Sequence, residues 1–313
     1  MQLARYLSDL PYAMLDRGSV VTIGAYDGLH LGHQALLSEV LKRARADGLA
    51  SVVMSFEPMP REFFSGDQPP ARLSRFREKY ESLSALEFDL FYCPRFSPAM
   101  RDIPAIDFVR RILVHGLNAR HVVIGDDFRF ARRREGGFET LRDLGRALDF
   151  GVSSTPSVMV DGIRASSTAT REALADGDCR RAAALLGRPY RMSGRITRGR
   201  EVGRSLGYPT ANVDIRRRQS AVDGIFAVRV HGLATGPQDG VASVGTRPTF
   251  GIDKPLLEVH LFDFDADIYG EYIHVDFIEH IRGVQKFADA DALVAQMHRD
   301  ADNARRILAA DAA

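Results

Sequence analysis

"TIGAYDGLHLGH", residues 22 to 33, decides how the first half of this chain is read. The residues leading into it, Ser19-Val20-Val21-Thr22-Ile23, are β-branched and mostly apolar, which predicts a short buried strand. The residues that follow, Gln34 to Leu41, place apolar side chains at helical spacing. His30 and His33 therefore stand where a strand turns into a helix. In an open α/β sheet that is the usual position of a phosphate site.

Working outward, the same alternation repeats. Ala50 to Phe56, Phe88 to Tyr92 and His121 to Gly125 read as further buried strands, with amphipathic stretches such as Ile106 to Leu113 between them. Alternating βα units predict a parallel sheet covered on both faces. The pattern changes near residue 187. Asp178 to Leu186 reads as a closing helix, and five strand-like stretches then follow at turn-rich spacing. They are Tyr190–Gly194, Gly224–Val230, Gly240–Gly245, Leu256–Phe262 and Tyr272–Phe277. Such spacing predicts a closed antiparallel barrel, and Ala290 to Ile307 a C-terminal helix. The expected division is residues 1–186 and 187–313, an α/β domain followed by an all-β one.

Bulk properties exclude several function classes. At 313 residues, 45% hydrophobic and 27% charged, the chain has the composition of an ordinary globular protein of two domains. A net charge of +1 gives no pointer to nucleic acid or an anionic membrane. The N-terminal stretch MQLARYLSDLPYAML is broken by charge, unlike a signal peptide, and no run has the length of a membrane span. Cys93 and Cys179 lack metal spacing and read as reduced bystanders of a cytoplasmic protein. Lysine is rare, four residues against 38 arginines.

Two readings compete for His30 and His33. One is a pair of helix-start histidines, one capping and one packed. The other is a phosphate grip, in which imidazole N–H groups follow charge building on a phosphoryl oxygen. Gly32 would then leave room for the phosphates, and the helix would add its positive end. Gly24 and Asp27-Gly28 belong to the same turn. "IGDDFRFARRREGG", residues 124 to 137, sets Asp126 and Asp127 at the carboxyl end of a strand before Arg132, Arg133 and Arg134. Asp127 there is suited to magnesium. "ASSTATREAL", residues 165 to 174, offers Ser167 and Thr168 before a helix with Arg171 in its first turn. By itself that is an N-cap with a surface arginine. No GxxxxGK[ST] is present, so a P-loop is excluded.

"GAYDGLHLGH", "FEPMP", "GDDFRF" and "SSTATR", in this order, resemble the adenylyltransferase half of the bifunctional bacterial riboflavin kinase/FAD synthetases. The resemblance implies a Rossmann-like nucleotidyltransferase that moves AMP from ATP to FMN and releases pyrophosphate. It implies that His30 and His33 grip the ATP phosphates and that Arg171, Ser167 and Thr168 close over them. The family usually carries asparagine and phenylalanine at Ala25 and Tyr26, histidine at Met59, glycine at Ala131 and isoleucine at Thr170. The expectation is a working but weakened adenylyltransferase.

In the second half, "GREVGRSLGYPTANV", residues 199 to 213, combines Gly199, Gly203 and Gly207 with Pro209-Thr210-Ala211-Asn212. The glycines make a loop able to fold over phosphates through backbone N–H groups. Thr210 and Asn212 project to one side of an extended strand, as neutral oxygen donors for magnesium. Glu258 alternates with Leu257 and Val259 and so faces away from them. Alone it reads as exposed or salt-bridged; at a barrel mouth holding ATP it could take a proton from an attacking alcohol. The run from GRPYRMSG through PTAN, SVGTRPTFG and LEVHLFDFDADIYGEYIHVDFIEHIR resembles riboflavin kinase over about residues 185 to 307. That implies a six-stranded β-barrel in which Thr210 and Asn212 hold Mg-ATP, Glu258 activates the ribityl 5′-hydroxyl and Arg282 lies at the flavin end.

The expectation is thus a bifunctional enzyme using riboflavin, FMN, FAD and ATP with Mg2+. Its partners are small molecules, with neither nucleic acid nor membrane among them. The alternatives are a kinase whose first domain has fallen silent, a different nucleotidyltransferase, and a non-catalytic flavin sensor.

Overall fold

The computed structural model describes residues 1–198, 207–246 and 255–311. Packing divides the chain into two compact units: Met1–Pro70 with Phe76–Ser166, and Ala71–Arg75 with Ser167–Ala313.

The first unit is a six-stranded parallel sheet. Its strands are β1 (Gln2–Ala4), β2 (Ser19–Ile23), β3 (Ala50–Met54), β4 (Leu90–Tyr92), β5 (Ala119–Gly125) and β6 (Gly151–Thr155), in the order β1-β4-β3-β2-β5-β6. Alternate residues feed two cores. Val21, Ile23, Val52, Met54, Val122 and Ile124 pack on one face. Val20, Val53 and Val123 pack on the other, under Leu36, Leu37, Val40 and Ala44 of helix α1 (Leu31–Asp47). Both faces are buried, as continuous apolar strands require. Helices α2 (Phe76–Ser84) and α3 (Phe138–Leu148) belong to this unit. The amphipathic stretch near Ile106 forms a turn of α-helix, Ala105–Phe108, that widens into a π-helical run, Val109–Val114. Asp161 and Gly162, at φ +48° and +77°, close a hairpin between β7 (Met159–Val160) and β8 (Ile163–Arg164).

Strand order reverses between β2 and β5, so the loops at their carboxyl ends flank a topological switch point, where α/β proteins bind ligands. The histidine turn follows β2, and Asp126-Asp127 follow β5.

The second unit is a closed antiparallel barrel of six strands. They are β9 (Tyr190–Thr197), β10 (Ala211–Asp214), β11 (Gly224–His231), β12 (Gln238–Thr246), β13 (Pro255–Leu261) and β14 (Tyr272–Arg282), closed in the order β10-β13-β12-β11-β14-β9. Helices α4 (Ser167–Ala175) and α5 (Cys179–Leu186) pack their buried faces, Ala173, Leu174, Cys179, Ala182 and Leu186, into the same core as Met192, Phe226 and Phe277. Leu73 joins them. The packing boundary thus falls at 166/167, earlier than the division expected from sequence at 186/187, because α4 and α5 bury their apolar stripes on the barrel. The C-terminal helix α6 (Ala290–Asp311) covers Ala227 and Phe262 with Ala301, Ala304 and Leu308.

Candidate functional sites

The histidine turn is built from left-handed backbone. Tyr26, Gly28 and Leu29 sit at φ +49°, +85° and +47°, a sequence that reverses the chain between β2 and α1 within a few residues. The buried Tyr26 hydroxyl meets Thr22 Oγ1 at 2.6 Å, which satisfies the one polar atom that phenylalanine would lack. Burial pushes the Tyr26 pKa upward, so the hydroxyl stays protonated. Glycine at position 24 is explained by this ring: a Cβ there would come 2.9 Å from it.

His30 is the N-cap of α1, its Nδ1 accepting the amide of His33 at 3.4 Å. With Nδ1 accepting, Nε2 is the His30 nitrogen left to donate. The His30 and His33 rings are stacked with centroids 3.6 Å apart, and Tyr26 lies 5.1 Å from His33. Burial first, then the positive fields of His30 and Lys79, hold the His33 imidazole well below its ordinary 6.5. The pair can thus present N–H donors at the positive end of a 17-residue helix. A Cβ on Gly32 would lie 3.2 Å from both the Ala165 carbonyl oxygen and His30 Nδ1. Glycine here gives room to the chain's own cap, a need distinct from ligand access. Asp27 is buried at 4% exposure in the same turn.

After β5, Arg164 Nη2 bridges Asp126 at 3.2 Å and Asp127 at 2.9 Å, and Ser157 donates to Asp126 from its amide and hydroxyl. Asp127 therefore already carries an arginine, which a metal would have to share. Arg132 pairs with Glu135 at 3.7 Å, and Arg133 and Arg134 take left-handed φ of +52° and +61°.

Ser167 and Thr168 are the first two residues of α4, and Arg171 is its fifth, so the arginine falls in the second turn, where the sequence predicts the first. The helix starts a residue or two earlier than its sequence signals.

On the barrel, β pairing assembles the second site. Asn212 lies directly opposite Thr197 on β9 and Glu258 on β13. Glu258 is in turn opposite Ser243, Ser243 opposite Ile225, and Ile225 opposite Arg282. Directly paired residues share a face, so Thr197, Asn212, Glu258, Ser243, Ile225 and Arg282 form one row around the outside of the barrel. Val213, Leu257 and Val259 point into the core between them. Glu258 is half-buried and paired across to an amide, unlike a fully solvated strand carboxylate. Thr210 is the residue two before Asn212; His260 Nδ1 donates to the carbonyl of Pro209 just ahead of it at 2.9 Å. Arg282 is engaged by Asp300 of α6 through contacts of 2.6 to 3.0 Å, with Gln296 also bonding Asp300. Its role in tying α6 to the barrel rim escaped the sequence, because the partner lies on another element. Gly207, at φ +80°, closes the described part of the glycine loop; Gly199 and Gly203 lie outside the described residues.

Two polar residues of these sites were missed in the sequence. One is His260. The other is Lys79, 2% exposed on α2, whose Nζ donates to the Ala25 carbonyl at 2.5 Å and reaches Ser55 Oγ at 3.5 Å. A lysine inside an amphipathic helix of an arginine-rich chain was the available signal. Among the described residues no group of three or more His, Cys, Asp or Glu side chains forms a metal cage. No helix among them is long and apolar enough to cross a membrane.

Comparison with known proteins agrees with this geometry. Residues 13–169 match the family model for FAD synthetase and residues 186–308 that for riboflavin kinase. The chain is 44% identical over 305 residues to the bifunctional riboflavin kinase/FMN adenylyltransferase of Escherichia coli (strain K12), covering 97% of each. It is 42% identical over 313 residues to the Pseudomonas fluorescens protein of the same name, covering 100% of this chain and 99% of the relative. A crystal structure described as a macrolide-efflux protein from Streptococcus pneumoniae superposes with a TM-score of 0.79 at 31% identity over 96% of each chain. Nothing in these matches favours the kinase-only alternative. With both domains present, the chain belongs to the bifunctional riboflavin kinase/FMN adenylyltransferases, which act on flavins and ATP.

Proposed function

We propose a division of labour between the named side chains, with the functional boundary at residues 186/187. In the barrel, Glu258 takes the proton from the ribityl 5′-hydroxyl of riboflavin as that oxygen attacks the γ-phosphorus of ATP, releasing ADP. Thr210 and Asn212 supply neutral oxygens to magnesium. Two such donors are too few for a protein cage and suit a Mg2+ ion completed by nucleotide phosphates and water. The bound ion would offset phosphate charge. Gly199, Gly203 and Gly207 cover the phosphates. Arg282 keeps the flavin end of the barrel in shape through Asp300.

In the α/β unit, His30 and His33 donate hydrogen bonds to the triphosphate as the FMN phosphate attacks the α-phosphorus and pyrophosphate leaves. Gly24, Asp27 and Gly32 shape that turn. Arg171, Ser167 and Thr168, at the head of α4 in the second unit, are assigned to nucleotide binding. Asp127 is the candidate for a second magnesium position if Arg164 yields it. Partners are confined to small molecules, and two buried free thiols, Cys93 and Cys179, suit the cytoplasm.

The observation that carries this reading is the direct pairing of Glu258 with Asn212. Its test separates flavins chromatographically after incubation with Mg-ATP, once with riboflavin and once with FMN. Glu258→Gln is expected to abolish FMN formation and to leave FMN-to-FAD conversion intact. Replacing His30 and His33 by alanine is expected to do the reverse. Equal loss of both reactions in either variant would overturn the division.

A further inference from the structure

We infer that Lys79 is a positioning residue for adenylyl transfer, holding the Ala25 carbonyl and with it the left-handed turn that delivers His30 and His33 to the head of α1. The inference rests on the assignment of those two histidines to the ATP phosphates.

Three observations support it. First, the Lys79 ammonium is buried, and it donates to Ala25 O at 2.5 Å, while Ser55 Oγ reaches the same oxygen at 3.3 Å. Two donors converge on one main-chain acceptor from α2 and from the end of β3. Secondly, that acceptor sits immediately before Tyr26. From there the chain passes Tyr26, Asp27, Gly28 and Leu29 to His30 with no regular secondary structure. Three of those four residues have positive φ, and in two of them, Tyr26 and Leu29, that conformation persists only where its surroundings fix it. The Tyr26–Thr22 bond fixes the side-chain end of this turn, and Lys79 with Ser55 fixes its main-chain start. Thirdly, the choice of residue is informative. This chain uses arginine 38 times and lysine only four, yet places lysine here. An ammonium is a compact point charge that can approach a single carbonyl in a small space, whereas a guanidinium is a planar fork.

The consequence for chemistry follows from geometry. His30 caps α1 and His33 stacks on it, so a shift of the turn moves both donors together relative to the phosphates. Displacements of an ångström or less at such donors cost one to two orders of magnitude, as a rough guide.

Lys79→Met keeps length and apolar volume and removes the ammonium. In the full-length protein it is expected to raise KM for ATP in FAD formation by about tenfold or more. FMN formation from riboflavin, measured on the same preparation, is expected to keep its KM and kcat. A smaller folded fraction would lower apparent kcat without moving KM, so the KM change separates positioning from stability. Unchanged KM for ATP in FAD formation would overturn the proposal, as would parallel changes in both reactions. If Lys79→Met does not fold, Ser55→Ala decides: a raised KM confined to FAD formation supports the clamp, and unchanged kinetics reject it. His30→Ala run alongside keeps the two readings apart. If His30→Ala forms FAD normally, the phosphate assignment fails. If it does not, and Lys79→Met does, only the role of Lys79 fails.

Discussion

His30 accepts the amide of His33 through Nδ1 at 3.4 Å while its ring lies 3.6 Å from the His33 ring. Protonating His33 carries a local penalty, because burial, His30 and Lys79 all oppose a charge there.

A pH prediction follows for stability. Below its ordinary 6.5 the unfolded chain binds a proton at His33, and the folded chain, whose His33 pKa lies well below that, does not. Stability from this residue is complete above pH 6.5 and is lost as the pH falls from there toward the folded value. Melting of the α/β unit is expected to drop on going from pH 7.5 to 5.5, and His33→Gln to flatten that dependence. Calorimetry across this range checks both.

Ala131 sits at φ +63°, ψ −173°, a backbone conformation natural to glycine. Such strain costs about 1–3 kcal/mol. Ala131→Gly is expected to stabilise the protein by about 1 kcal/mol or more and to raise its melting temperature. A lower one would show that Ala131 is held without strain.

Gly32→Ala supplies a better helix former and still is expected to harm the site. Its Cβ would press on the Ala165 carbonyl and on His30 Nδ1, each 3.2 Å away. FAD formation is expected to fall about tenfold or more, with FMN formation unchanged. Steady-state kinetics of the two reactions give the answer.

Asp300 is 4% exposed and paired with Arg282. Arg282→Met leaves that carboxylate buried without its cation, which costs about 3–5 kcal/mol. Arg282→Met combined with Asp300→Leu is expected to recover most of it. Urea denaturation of the single and double variants measures the coupling.

Much of this architecture was legible in the sequence. β2 and β3 are buried at every position and β5 from Val122 to Ile124, so each reads as a buried strand, and their alternation with helical stretches pointed to the parallel sheet. The edges were not legible. β1 is three residues with two exposed, and β6 is Gly-Val-Ser-Ser-Thr, polar because one flank lacks a neighbour. In the barrel, Glu258 was placed on the correct face by alternation, yet its pairing with Asn212 depends on register between strands 46 residues apart. The same limit hid Asp300 from Arg282, and Ala25 from Lys79. Periodicity reports which way a side chain faces; it does not report what another element brings to meet it.

The row around the barrel has an evolutionary consequence. Val213 and Leu257 fill the interior because Asn212 and Glu258 are turned outward, so one alternation sets both the packed face and the outer row. Inserting a single residue in β10 would send Asn212 inward and a valine out, damaging both together. Inserting two would spare the core but slide Asn212 by about 7 Å along the strand, away from Glu258. Length changes are thereby steered into the loops, and β10 can drift in identity far more freely than in length.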